Sequence, residues 1–125
     1  MSIIEEQFAA LRARFPNATI AKQANGTQVV TIPAVPVPAG WNVAEVDLSL
    51  VVPAGYPQAA PDCFWTSPDL RLENGTPPQN TGIQDVPGIA PGSVWFSWHP
   101  VRWDPNSDNL GTYVNVVRQR LREVR

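Results

Sequence analysis

Apolar side chains near the start of the chain recur at the spacing of an α-helix. Ser2 and Glu5 have the spacing of a capping box, in which each side chain satisfies a free backbone amide of the first turn. Pro16 and Asn17 come directly after the periodic segment. The pattern therefore predicts an N-terminal helix that ends at Pro16 and buries one stripe of large side chains: Ile4, Phe8, Leu11 and Phe15.

Four segments have the pattern of β-strands. The β-prone runs 19–24 and 27–32 flank Asn25-Gly26, a dipeptide that favours the type I′ turn of a hairpin. Residues 45–50 alternate apolar and polar side chains, which predicts a strand with one buried and one solvated face. A short aromatic run at 62–66 predicts a fourth strand.

The second half of the chain is irregular until its final helix. Residues 67–92 are rich in Gly, Pro and Asn and lack a sustained period, so we expect a long loop of the kind that often carries function. Residues 107–122 then place Leu110, Val114, Val117 and Leu121 on one helical stripe. Their arginines crowd the C-terminal end, where the helix dipole favours positive charge. The order predicts an α+β fold: an N-terminal helix, a four-stranded antiparallel meander, a long irregular loop and a C-terminal helix.

Length and composition limit the classes of function. A chain of 125 residues with 43% hydrophobic and 16% charged side chains is expected to form one domain, 1–125, around one core. A net charge of −2 argues against nucleic-acid and membrane-surface partners, which need a positive field. The acidic N-terminus and the lack of a long apolar run predict a cytoplasmic protein. With one cysteine, Cys63, and one histidine, His99, we expect no disulfide, no four-ligand metal site and no cofactor.

Two motifs resemble the ubiquitin-conjugating-enzyme (UBC-like) superfamily. Residues 55–62 read GYPQAAPD and precede the fourth predicted strand, and Trp103-Asp104-Pro105 precedes the final helix. The segments FSWH and WDPNSDNL, followed by an apolar helix, are more closely similar to the bacterial branch called prokaryotic E2 family E. The resemblance implies a UBC-like fold in which Trp103 and Pro105 have structural roles. It also implies three partners: an adenylating activating enzyme, a ubiquitin-like protein and a peptidase of the same operon.

The chain departs from the superfamily at the reacting group. Ordinary members carry a catalytic cysteine shortly before the W-x-P motif and an HPN motif upstream of it, and this chain has neither. Cys63 lies far from that position, in an aromatic strand with no cation or base nearby in the sequence. We therefore expect Cys63 to be a structural core residue.

Ser97 and His99 occupy the place where the superfamily has its nucleophile. In an extended segment they project to the same side, so that a hydroxyl and a base would lie close together. Asp104 and Asp85 are the candidates for an acid that orients the imidazole. The opposite interpretation is a packed histidine beside an ordinary loop serine.

Partner contacts are expected by resemblance on three parts of the chain. These are the first helix, the 56–61 loop and the region of Ser97, and the candidate residues are Arg12, Arg14, Tyr56, Pro57 and Trp98. For the two arginines, solvated charge without a partner is the alternative.

Three hypotheses about function follow. The first is transfer of a ubiquitin-like protein through an oxyester on Ser97, with His99 as base. The second is a catalytically inactive UBC-like adaptor that binds the activating enzyme or the ubiquitin-like protein. The third is an unrelated peptide- or carbohydrate-binding module, suggested by the proline-rich sheet and clustered tryptophans.

Overall fold

A computed structural model describes residues 2–125 of the chain and has an α+β architecture. The helices are α1 (Ile3–Arg14) and α2 (Leu110–Arg122), and the strands are β1 (Thr19–Lys22), β2 (Gln28–Pro36), β3 (Glu45–Val52), β4 (Phe64–Thr66), β5 (Thr81–Ile83) and β6 (Val94–Phe96). The strands form one sheet in the order β1-β2-β3-β4-β6-β5, and every neighbouring pair is antiparallel. No helix in the described part of the chain is long and apolar enough to cross a membrane.

The buried face of the sheet follows from the alternation of its strands. Leu50 of β3 pairs with Val30 on one side and with Phe64 on the other, and Phe64 pairs in turn with Phe96. Side chains in register lie on the same face of a sheet, so these four form one apolar surface. All four are fully buried, in the same cluster as the α2 stripe.

Both helices begin at the caps that their sequences provide. The Ser2 hydroxyl accepts a hydrogen bond from the Glu5 amide and donates one to the Glu5 carboxylate. Helix α2 begins at Leu110, later than the predicted start at 107, because Asn109 and Thr112 form a reciprocal capping box. Residues before Asn109 form a turn instead.

The sheet has six strands where the sequence predicted four. Strands β5 and β6 are three residues long, which is too short to carry a detectable period.

The predicted hairpin between β1 and β2 is present, but its turn differs from type I′. Gln23 N–H donates to the carbonyl of Thr27, and of the turn residues only Gly26 has a positive φ, at 87°. This is a three-residue connection with glycine in the left-handed region.

The connection between β5 and β6, residues 84–93, crosses the outer face of the sheet. The indole nitrogen of Trp65 donates to the carbonyl of Gln84 at 2.9 Å, which fixes the start of the connection over β4. Gly88 lies against the side chain of Gln23, at the far end of the sheet. Trp65, which points away from the helices, is consequently 5% exposed. The segment predicted as an irregular loop therefore contains one strand and a cover for the outer face.

Candidate functional site

The candidate site is built around residues 97–99, which we call the Ser97 segment. It directly continues β6, and the backbone N–H of Ser97 donates to the carbonyl of Asn80 at 2.9 Å, so the segment starts in sheet register. The side chains of Ser97 and His99 are exposed, whereas Trp98 is half-buried. The structure thus presents the two predicted chemical groups to solvent.

Asp62 provides the carboxylate that faces His99. Nδ1 of the imidazole lies 3.8 Å from Oδ1 of Asp62, and the two side chains are 71% and 80% exposed. The candidates from sequence do not take this place: Asp104 accepts from the amide of Asn106 within its own turn, and Asp85 accepts from the amide of Gly92. Asp62 is on the β4 side of the sheet, far from His99 in sequence, so only the pairing of β4 with β6 brings the two together.

No hydrogen bond joins the hydroxyl of Ser97 to the imidazole of His99 in the part of the chain that the structure describes. An aspartate at Nδ1 leaves Nε2 as the nitrogen that would accept a proton. Bonds between a nucleophile and its base are often long before substrate binds. The arrangement therefore contains an exposed hydroxyl, an exposed imidazole and a carboxylate that faces the imidazole, and no hydrogen bond joins the hydroxyl to the imidazole among the described residues.

Cys63 is half-buried and lines a pocket, which differs from the core position predicted for it. The pocket has a volume of about 240 Å³ and lies between the β1–β2 turn and residues 86–87, with largely apolar walls such as Val51 and Trp65. Burial raises the pKa of the Cys63 thiol. A raised pKa reduces the thiolate fraction at neutral pH, so the environment does not activate this sulfur as a nucleophile.

Trp98 holds the Ser97 segment to the body of the protein. The guanidinium of Arg120 lies 5.4 Å from its ring centre and that of Arg125 lies 5.8 Å away. The carbonyl of Trp98 accepts a hydrogen bond from the hydroxyl of Tyr113 at 3.1 Å. The sequence predicts that Trp98 contacts a partner. In the structure, its contacts hold the backbone between Ser97 and His99 in place.

Arg120 is fully buried, whereas the sequence indicated only that it belongs to the arginines at the C-terminal end of α2. Its guanidinium donates to the carbonyls of Gln79, Glu123 and Arg125 at 2.7 to 2.9 Å, and Nε has no partner among the described residues. Burial lowers the pKa of Arg120. A sequence signal existed: Arg120 follows Tyr113 by seven residues and Val117 by three, which places it on the buried stripe.

The two motifs that carried the resemblance contact each other. The indole nitrogen of Trp103 donates to the carbonyl of Pro57 at 2.7 Å, and the ring centroids of Trp103 and Tyr56 are 5.9 Å apart. Trp103, for which a structural role was expected, thus bonds to the 56–61 loop, and its ring packs against the core cluster. Pro105 is half-buried in the turn that follows.

Tyr56, one of the candidate partner contacts, is a core residue in the structure. It is 7% exposed, and its hydroxyl donates to Oε1 of Gln7, which also accepts from the amide of Leu110. Gln7 thus joins α1, the 56–61 loop and the start of α2. Burial raises the pKa of Tyr56 to about 12. Pro57 is half-buried and follows a cis peptide bond.

The two arginines of α1 differ in their contacts. Arg12 is exposed, and among residues 2–125 its side chain donates only to the carbonyl of Pro16, at 3.3 Å. Arg14 is also exposed, but it donates to Oδ1 of Asn115 at 3.0 Å and so connects α1 with α2. Arg12 is therefore the more available of the two for a partner.

The described residues contain no cluster of three or more His, Cys, Asp or Glu side chains arranged to hold a metal ion.

The fold and the contacts of its motifs define the class of protein. A helix precedes an antiparallel sheet, a Tyr-Pro loop follows β3, and a Trp-Asp-Pro turn packed on that loop leads into the last helix. This is the arrangement of a ubiquitin-conjugating-enzyme-like protein. Residues 13–124 match the prokaryotic E2 family E, and the chain belongs to this family. No curated protein matched the chain. No solved structure matched it either.

Proposed function

We propose that the protein transfers the C-terminal acyl group of a ubiquitin-like protein and carries it as an oxyester on Ser97. Membership in the family supports a conjugating-enzyme-like role in a bacterial pathway, with an activating enzyme and a ubiquitin-like protein as partners. The observation that supports the finer proposal is an exposed Ser97 two residues before an exposed His99 whose Nδ1 faces Asp62 at 3.8 Å. A peptidase from the same operon would act on the conjugates.

The transfer step balances with groups that the chain and its partners supply. Oγ of Ser97 attacks the activated acyl carbon, a C–O bond forms, and the bond from that carbon to its carrier on the activating enzyme breaks. The hydroxyl proton passes to Nε2 of His99 and then to the departing carrier. Asp62 faces Nδ1, the other nitrogen of the imidazole, across 3.8 Å.

The experiment is a charging reaction followed by mass spectrometry of the intact protein. The protein is incubated with ATP and with the activating enzyme and the ubiquitin-like protein from the same organism. We expect an adduct that resists thiol reductants and is cleaved by mild base. The adduct is absent in Ser97→Ala and kept in Cys63→Ala, and His99→Ala slows its formation by about 100-fold, within the usual range for loss of a general base. A reductant-sensitive adduct that Cys63→Ala removes would overturn the oxyester.

An adaptor without catalysis is the second candidate, and the missing hydrogen bond between Ser97 and His99 favours it. In that case the charging reaction gives no adduct. The protein would still form a complex with the activating enzyme or the ubiquitin-like protein, and Arg12→Glu would weaken the complex if α1 is part of the interface. Ala13→Glu, at an exposed neighbouring position of α1, serves as a control for charge alone.

A further inference from the structure

Strand β5 is the open edge of the sheet nearest to the Ser97 segment. It pairs with β6 on one side, and no strand of residues 2–125 pairs with it on the other. Its residues Thr81–Ile83 carry no charge and no proline, two devices that prevent an edge from pairing, and its length of three residues limits an added strand to a short pairing. By contrast, the opposite edge strand, β1, ends in Lys22.

The register shows which backbone groups of β5 face outward. The amide of Ser97 bonds to the carbonyl of Asn80, so Asn80 and Ser97 form a hydrogen-bonded pair of the antiparallel ladder. Along two antiparallel strands, hydrogen-bonded pairs alternate with pairs that are not hydrogen-bonded to each other. Gly82, opposite Trp95, is therefore the next residue of β5 that bonds to β6. The N–H and C=O groups of Thr81 and Ile83 therefore point away from the sheet.

The outward groups have no substitute partner in the described chain. No backbone hydrogen bond from another segment reaches the amides or carbonyls of Thr81 and Ile83. The side chain of Ile83 is 72% exposed, although isoleucine is a residue that proteins usually bury. Among the described residues the outward backbone groups of β5 thus have no protein partner, and they lie beside one exposed apolar side chain, that of Ile83.

From this edge we infer a binding site for an extended peptide, and the peptide that fits is the C-terminal tail of the ubiquitin-like protein. The inference rests on the proposed function for the identity of the tail. Strand addition at an exposed edge is a common mode of peptide recognition, in which main-chain hydrogen bonds supply the affinity.

The direction of the added strand supports this occupant. A tail that pairs antiparallel with β5 runs parallel to β6, because β5 and β6 are themselves antiparallel. Strand β6 ends at Phe96 and leads into Ser97. The C-terminal end of the tail therefore leaves the sheet at the same end as Ser97, whereas a parallel addition would direct it to the opposite end.

The distance from the edge to Ser97 fits a short extended segment. Neighbouring strands are about 4.8 Å apart, so a strand added to β5 lies roughly 10 Å from β6. About three extended residues span this distance. The path passes over Gln79 and Asn80, both of which are exposed. A tail paired with Thr81 and Ile83 would thus place its last carbonyl at the hydroxyl of Ser97.

Amide hydrogen exchange tests the site without requiring catalysis. The full chain carrying Ser97→Ala is mixed with the ubiquitin-like protein, or with a version that lacks its last six residues. We expect exchange at the Thr81 and Ile83 amides to slow by about tenfold with the intact protein only. The Gly82 amide, which is already bonded to β6, should change by less than twofold. The inference would be overturned if exchange slowed at none of the three amides, or if it slowed equally at all three.

Substitutions at the edge provide a second test. Ile83→Pro removes an outward N–H and leaves the ladder with β6 intact, so it should weaken binding of the intact ubiquitin-like protein by at least about tenfold. Ile83→Thr keeps the amide, is a good strand former, and should weaken binding by less than about threefold. Equal binding by the two variants would contradict the site.

Two outcomes separate this inference from its rivals. If the outward amides become protected with rising protein concentration and no ubiquitin-like protein, the edge pairs with a second copy of the chain, and the inference is wrong. If the tail binds at β5 but the charging reaction gives no adduct, the oxyester fails while the tail site holds. Adduct formation that Ile83→Pro does not slow would support the oxyester and overturn the tail site.

Discussion

The indole nitrogen of Trp103 donates a 2.7 Å hydrogen bond to the carbonyl of Pro57, 46 residues earlier in the chain. This bond connects the turn before α2 with the loop after β3. Both segments border the region that leads to Asp62 and the Ser97 segment. The contact therefore fixes the loop after β3 relative to the turn that leads into α2.

Removing that bond should measurably destabilise the protein. Trp103→Phe keeps an aromatic ring and deletes the donor, so we expect a loss of about 1 kcal/mol, the usual net contribution of one hydrogen bond. Urea denaturation measures the change. Trp98→Phe is the matched control, because the Trp98 ring contacts arginines through its face and its indole nitrogen has no protein partner among the described residues. A control loss as large as that of Trp103→Phe would show that ring size, and not the hydrogen bond, sets the effect.

Arg120 should be one of the most sensitive positions in α2. Arg120→Met leaves the carbonyls of Gln79, Glu123 and Arg125 without their donor, so we expect a loss of about 2 to 4 kcal/mol in the free energy of unfolding. Arg120→Lys should recover only part of it, because an ammonium lacks the planar set of donors.

Arg118→Met is the control for Arg120, since Arg118 is only half-buried and makes no hydrogen bond in the described chain. We expect a change below about 0.5 kcal/mol. Equal losses at the two positions would contradict a specific role for Arg120.

Stability should fall at alkaline pH because of the buried tyrosines. Burial raises the pKa of Tyr56 from 10.0 to about 12, and burial also raises the pKa of Tyr113. The fold therefore disfavours the phenolate. The stabilisation is complete below pH 10 and is lost as the pH rises towards 12, because the unfolded chain ionises first. For Tyr56 the loss amounts to about 2 kcal/mol.

Denaturation over that pH range, with phenolate absorbance as a second signal, measures the effect. Tyr56→Phe should remove the Tyr56 part of the pH dependence and keep the part due to Tyr113. Free energies of unfolding that stay constant from pH 10 to 12 would show that neither hydroxyl is held in its neutral form.

Ala34 lies in a backbone conformation that favours glycine. Its φ is 56°, at the irregularity of β2 between Ile32 and Val35, and its amide donates to Asp47 at 3.0 Å. Ala34→Gly should stabilise the protein by about 0.5 to 1 kcal/mol, because a left-handed residue with a Cβ is strained by about that amount or more. Ala44→Gly, at an exposed position with ordinary φ, should be neutral or destabilising. Thermal denaturation compares the two, and a stabilising Ala44→Gly would show a general effect of glycine.

The reactivity of Cys63 tests its local environment. Because burial raises the pKa of its thiol, alkylation of the folded protein at neutral pH should be at least several-fold slower than in the urea-unfolded chain. Mass spectrometry follows the reaction, and the unfolded chain is the internal control. Faster alkylation in the folded state would mean that the pocket activates the sulfur, and Cys63 would replace Ser97 as the nucleophile to test.

The sequence could predict elements that are long enough to show a period. The stripe of α2, from Leu110 to Leu121, and the alternation of Val46, Leu48 and Leu50 each repeat several times, so burial of one face was readable from spacing alone. Strands β5 and β6 have three residues each, and such a run has no distinguishable repeat. The predicted sheet was therefore smaller than the real one.

The amino-acid sequence by itself determined the two helices, the main strands, the family motifs and the position of Ser97 and His99 two residues apart, because these depend on local spacing. The tertiary structure decided which groups surround them. It placed Asp62 beside His99, turned Cys63 to a pocket, buried Arg120 under Trp98 and left one edge of β5 open. The physical reason is that burial and electrostatic environment arise when strands distant in sequence pair, and no local pattern encodes which side chains then meet.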